Sequence, residues 1–236
     1  MYKVMAIKKD KRIQRAKGGI NVDFFKRWSP NMAYVLGYFA ADGGVFTNSG
    51  GSRYIHFVST DYELLEKVKR LLFSKHKIAS KKTYGQNRKA AFLLQIGCKE
   101  IYEDLIGMGF TPNKSSRLKL PEMPKRYLRH FIRGYFDGDG SIMHGYYRRK
   151  NRNNKLNPYT LTCFACANRD FLRDISKTLS GRLGVSVGYV DKRGTHLYYA
   201  KRDSAKLFHY MYKGVSSRLY LERKFNKFQK AIIPGA

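Results

Sequence analysis

The chain has 236 residues, room for one large domain or two of about 100 residues each. Hydrophobic residues at 43% and aromatics at 14% exclude wholesale disorder. Against 17 Asp and Glu stand 47 Lys and Arg, and a net charge of +30 repels itself unless a polyanion is near, which points to nucleic acid well ahead of an anionic membrane surface.

In chain order, residues 1–27 read as a basic arm whose apolar patch is too short for a signal peptide. Ser29-Pro30 starts a helix over about 31–42. A hairpin follows, with its turn at 48–52, and Asp61 is placed to cap an amphipathic helix carrying Leu64, Leu65, Val68, Leu71 and Leu72. Two further strands straddle GQNRK at 85–89, and KEIYEDLIGMG closes the unit as a helix ending on glycine. Pro121 and Pro124 mark a linker over 119–126. The order then repeats: a helix over 125–139, strands near 141–148 and 158–166, and a helix capped by Asn168 with Phe171, Leu172, Ile175, Leu179 and Leu183 on one face. Strands at 185–191 and 196–202 and the helix SAKLFHYMYKG complete it. Each half is αββαββα, the first over 28–118 and the second over 127–214, with a tail at 215–236. The second copy has a longer basic connection, RRKNRNNKLNP, where an insertion belongs if hairpin tips face a ligand.

No apolar run reaches the roughly 20 residues that span a bilayer. Three cysteines, an odd number, suit a reducing compartment, so the expected setting is intracellular rather than secreted. Cys163 and Cys166 have C-x-x-C spacing but lie in a strand pattern, and without a second pair they read as small core residues.

The repeat contains a shared phrase, YVLGYFAADGG from Tyr34 and FIRGYFDGDGS from Phe131. Gly37 and Ala41, like Gly134 and Gly138, are four apart and share one helix face. Glycine costs roughly 1 kcal/mol in a helix interior, and close crossing of two helices is a reason to place it there. Asp42 and Asp139 then fall in the last turn, where a carboxylate meets the negative end of the helix dipole, with Gly43 and Gly140 expected as left-handed caps. One Asp-Gly pair is an ordinary turn signal; two, on repeated units of so basic a chain, call for a cation. Crossed helices would bring both acids and nearby carbonyls to one all-oxygen site suited to Mg²⁺. Asp137 has Ala40 as its counterpart and reads as a structural cap.

VLGYFAADG and IRGYFDGDG closely resemble the two signature motifs of single-chain LAGLIDADG homing endonucleases, and the likeness runs from residue 24 onward. The resemblance implies an α+β fold of two pseudo-symmetric repeats in one monomer, with motif helices at the central interface and two saddle-shaped antiparallel sheets in the DNA major groove. It implies metal-dependent cleavage of both strands of double-stranded DNA at a long site, using Mg²⁺ or Mn²⁺. By position, Asp42 and Asp139 become the catalytic, metal-binding acids, the carbonyls of Ala41 and Gly138 auxiliary ligands, and Lys114 and Lys224 the basic residues beside them. Thr60 and Ala167 fall where relatives often hold a water-orienting polar group, and Ala167 lacks one.

Arginine suits guanine and Asn or Gln suits adenine in the major groove. The candidates for DNA contact are Arg53, Gln86, Asn87, Arg88, Lys89, Arg148, Arg149, Arg152, Lys155, Lys192 and Arg193, many of them phosphate contacts. Intron RNA is the alternative partner, in a maturase of the same fold, and a non-cleaving DNA-binding regulator is another alternative. The chain opens with Met1-Tyr2 and closes IIPGA, without the termini an intein needs.

Overall fold

The computed structural model describes residues 19–81, 90–148 and 154–232. In the first half, helix α1 (Pro30–Asp42) leads into strands β1 (Gly43–Thr47) and β2 (Arg53–Ser59), then α2 (Tyr62–Leu71), β3 (Ile78–Lys81), β4 (Ala91–Gly97) and α3 (Lys99–Gly107). In the second half, α4 (Leu128–Asp139) leads into β5 (Gly140–Arg148), β6 (Leu156–Ala165), α5 (Arg169–Leu183), β7 (Tyr189–Val190), β8 (His196–Ala200) and α6 (Lys201–Tyr212), followed by α7 (Glu222–Ile232). Each half holds one antiparallel four-stranded sheet, ordered β1-β2-β4-β3 and β5-β6-β8-β7. The fold is α+β with two like repeats.

Side-chain caps start α1 and α5. The Ser29 hydroxyl accepts from Met32 N at 3.1 Å, with Pro30 in the first turn of α1. Asn168 does the same for α5, accepting from Asp170 N and Phe171 N, and Gly184 ends that helix at φ +56°. Asp61 behaves otherwise: it stands at the N-cap of α2 without a capping bond, and its carboxylate takes a two-pronged contact from Arg223 of α7.

Alternation decides which face of each sheet is covered. Val45, Ile55, Leu94 and Ile96 point to the helices in the first sheet, and Ile142, Thr162, Phe164 and Leu197 do so in the second. Among the described residues the opposite faces carry no helix layer.

Four further sequence expectations change. Ile20, Phe24 and Phe25 are buried and Asn21 N donates to Leu72 O, so the end of the basic arm belongs to the first core. The tail contains α7, whose Phe228 is fully buried against Phe136, Phe208 and Tyr212. The strand expected at 185–191 shrinks to Tyr189–Val190, because Ser186 N and Gly188 N donate to Asp203 and Ser176 instead of a neighbouring strand. Gly43 and Gly140 are extended, at φ −96° and −95°, as each helix turns directly into a strand. Glycine is needed there for space: a Cβ would lie 2.2 Å from the rings of Phe39 and Phe136 respectively.

The two halves meet along α1 and α4. A Cβ on Gly37 would lie 2.0 Å from the Phe131 carbonyl oxygen, and one on Gly134 would lie 2.0 Å from that of Tyr34. Gly138 likewise fits against the Ala41 Cβ, at 2.4 Å. The four small residues therefore set the distance between the helices.

Gly37→Ala or Gly134→Ala is expected to destabilise the chain by about 3 kcal/mol or more, since the obstacle is backbone rather than a movable side chain. Gly181→Ala in α5, where the added carbon meets nothing within 4 Å, should instead stabilise by about 0.5–1 kcal/mol. Chemical denaturation of the three variants checks both signs.

Candidate functional site

Because the helices cross at their glycines, their C-terminal ends lie side by side. Asp42 and Asp139 are the last residues of α1 and α4, both partly buried, and Asp42 Oδ2 lies 3.1 Å from where a Cβ on Gly138 would stand. Each acid comes from a different half.

Two lysines answer the dipole problem that these acids pose. Asn113, left-handed at φ 56°, and the 3₁₀ turn Lys114–Ser116 direct Lys114 inward, where Nζ donates to the Ala40 carbonyl at 2.8 Å. Lys224, in the first turn of α7, donates to the carbonyls of Phe136, Gly138 and Gly140 at 2.8, 2.8 and 2.7 Å. Both lysines are buried, their ammonium groups facing the rings of Phe39 and Phe136. Each thus neutralises the negative end of one motif helix. The carbonyl of Gly138, expected as a metal ligand, already accepts from a cation.

The electrostatics follow from that packing. Burial, then the neighbouring charge of Asp139, pushes the Asp42 carboxyl up to about 7, with Lys224 and Lys114 opposing. Burial also raises Asp139, against the same two lysines. The repulsion is mutual, so the acids titrate as a pair that resists a double negative charge. Burial lowers Lys224 to about 8 despite Asp137, Asp42 and Asp139, and lowers Lys114 as well.

Asp137 has the structural role read from its unmatched position. Its Oδ2 accepts from Tyr34 Oη at 2.7 Å and from Leu221 N at 2.8 Å, tying together α1, α4 and the segment before α7. Burial raises it to about 6. Arg133 is fully buried beside it, donating to the carbonyls of Leu219 and Met211. Tyr34, Arg133 and Asp137 therefore hold the segment that delivers Lys224. The one sequence signal for this was an arginine inside an apolar motif helix, FIRGYF.

The expected DNA contacts scatter. Arg53 shares strand parity with Ile55, on the helix-covered side, and pairs with Glu103 over the Tyr102 ring. It is thus removed from the open face. Arg148 and Lys155 are exposed at the outer ends of β5 and β6, and Lys192 and Arg193 in the β7–β8 turn. Gln86, Asn87, Arg88, Lys89, Arg149 and Arg152 lie outside the described residues. Thr60 and Ala167 are both exposed just beyond β2 and β6. A cleft of about 610 Å³ runs beside Lys114, lined by β1, His56 and residues 111–115.

The family model described as LAGLIDADG-like domain matches residues 29–104 and 126–224, one segment in each half. The chain belongs to the LAGLIDADG family. Its fold is that of LAGLIDADG homing endonucleases of known structure. I-SmaMI, in a structure bound to uncleaveable DNA, is 16% identical, with 86% of this chain and 88% of that one covered and a TM-score of 0.55. I-LtrWI bound to target DNA is 13% identical, with 89% of each chain covered and a TM-score of 0.54. I-WcaI bound to its DNA recognition sequence is 12% identical, with 94% and 95% covered and a TM-score of 0.56. No curated protein matches. No helix among the described residues is long and apolar enough to cross a membrane.

The raised Asp42 carboxyl gives the LAGLIDADG seam a pH signature. Asp42 is about 7 in the fold and about 3.9 unfolded, so between these values the folded chain binds more protons. The Asp42 contribution to metal-free stability then falls as pH rises from about 4 to 7, beside the separate contributions of Asp137 and Asp139. Asp42→Asn removes that dependence. Its melting temperature should exceed that of the wild type by a few degrees above pH 7, and the gain should shrink towards pH 4.

Proposed function

We propose that the chain is a site-specific DNA endonuclease that hydrolyses one phosphodiester on each strand of a long double-stranded target, with Mg²⁺ or Mn²⁺ as cofactor. The observation that supports it is the meeting of Asp42 and Asp139, one from each half, at the end of the α1–α4 seam between Lys114 and Lys224. A monomer with two like halves thereby offers one acid and one lysine to each strand. The two halves, 28–118 extended by Ile20–Phe25 and 127–214 extended by α7, act as the two half-site modules, joined by 119–126. The setting is intracellular, where the DNA target is, and the activity suits homing of the element that encodes it.

The donor set fits a hard divalent cation. Among the described residues no three His, Cys, Asp or Glu cluster around a metal position, but Mg²⁺ typically takes one or two carboxylates plus waters and substrate phosphate oxygens. Asp42 and Asp139, with the Ala41 carbonyl, would hold it, and their mutual repulsion favours a cation between them. When bound, the metal polarises phosphoryl oxygens and activates water. The chain does the rest. Lys114 and Lys224 fix the helix ends and place positive charge beside the scissile phosphates. Lys224, though lowered to about 8, is held as an ammonium by the three carbonyls to which it donates. The net charge of +30 binds the duplex without regard to sequence.

Cleavage of a randomised duplex library tests this. Wild type with Mg²⁺ should enrich one long cut site, whereas Asp42→Asn and Asp139→Asn should each lower double-strand cleavage by about a thousandfold or more while gel-shift affinity stays within a few-fold. Undiminished cutting by either variant, or loss of binding in proportion to loss of cutting, would refute the assignment.

A further inference from the structure

The open face of the second sheet has a composition that basic-residue counting does not reveal. Strand register places Met143 opposite Leu161, Gly145 opposite Tyr159, and Tyr198 between Cys163 and Tyr189. These residues, with Tyr147, alternate with the helix-facing Ile142, Thr162, Phe164 and Leu197, so they line the uncovered side. Met143, Tyr147 and Tyr189 are 36%, 41% and 63% exposed. The rings are ordered in pairs, Tyr189 stacked on Tyr198 and Tyr147 tilted against Tyr159, each at 6.4 Å. No arginine or lysine projects from this face within the described strands.

Such an aromatic face, with Ser141, Asn157 and His196 as its polar members, on so basic a chain marks a binding surface. The exposed Lys155, Lys192 and Arg193 stand at its margins, which sets positive charge for phosphates around this floor. Strand β5 has nine residues and spans about 30 Å, the length of roughly nine base pairs. Specific reading of guanine relies on arginine or lysine forks, which the described residues of this floor lack, and the one apolar group in the major groove is the thymine methyl. Building on the endonuclease reading above, we infer that the second sheet reads a thymine-rich half-site. Its tyrosine rings, Met143 and Leu161 pack on the 5-methyl groups, while tyrosine hydroxyls and Asn157 make the polar contacts.

The test uses the full chain and duplex DNA. A binding selection from a randomised duplex pool gives the preferred site, and the half whose preference relaxes in a Tyr147→Ser/Tyr189→Ser variant is the one read by this sheet. Both substitutions lie on the exposed face, away from the acids. Deoxyuridine then replaces thymine in each half separately, which removes the methyl and keeps the base pair. In the half read by this sheet binding should weaken by about fourfold per contacted methyl, and tenfold or more in all, and the double variant should discriminate thymine from uracil less than the wild type does. A G·C-rich selected half, or uracil substitution without effect there, overturns the inference and leaves the endonuclease reading standing. Failure to bind duplex of any sequence, or a preference for single-stranded RNA, overturns both.

Discussion

Everything in this molecule depends on how closely α1 and α4 approach. Gly37 and Gly134 allow each helix to set its backbone against a carbonyl of the other, and Gly138 admits the Ala41 methyl. Interaxial distance follows from the side chains at a crossing, and here those side chains are missing by sequence. The approach fixes the relation of the two sheets, since each follows directly from a motif helix with no intervening loop. It also forces the two terminal acids together.

That convergence is unfavourable by itself, and the rest of the site is a response to it. Two partly buried carboxylates at two helix C-termini suffer desolvation, mutual repulsion and opposed dipoles. Lys114 and Lys224 cap the helix ends rather than pairing with the acids: among the described residues their hydrogen bonds go to main-chain carbonyls. The carboxylates are thereby left available for a cation. The halves are unequal in this respect, because Lys114 makes one such bond and Lys224 three, and Lys224 is further braced through Leu221 and Asp137. The pseudo-symmetric site thus has one more rigid side, built by the C-terminal segment.

The sequence made the seam legible because it states it twice: small residues four apart, then an acid and a glycine. The αββαββα order was readable for the same reason. Features written once were not. In α7 the apolar residues Phe225 and Phe228 are diluted among basic ones, so a helix bearing Lys224 read as a tail. The Tyr34–Asp137–Leu221 link joins residues far apart in sequence, which no local pattern reports. Arg53 shows how strand parity reverses a functional reading, since a one-residue difference decides between the open face and the Glu103 ion pair. The glycines after the acids were needed, but for the space taken by Phe39 and Phe136 rather than for a left-handed φ.

The most direct measurement is calorimetric titration of Mn²⁺ into the chain bound to a duplex target, in two buffers of different ionisation heat near pH 6.5. The account predicts metal binding with net proton release, because the Asp42–Asp139 pair retains a proton at that pH in the absence of a cation. The Asp42→Asn/Asp139→Asn double variant should show neither. Equal metal binding by the double variant would contradict the claim that the seam builds one shared cation site from the two halves, and binding by the wild type without proton release would contradict the proton held by the pair.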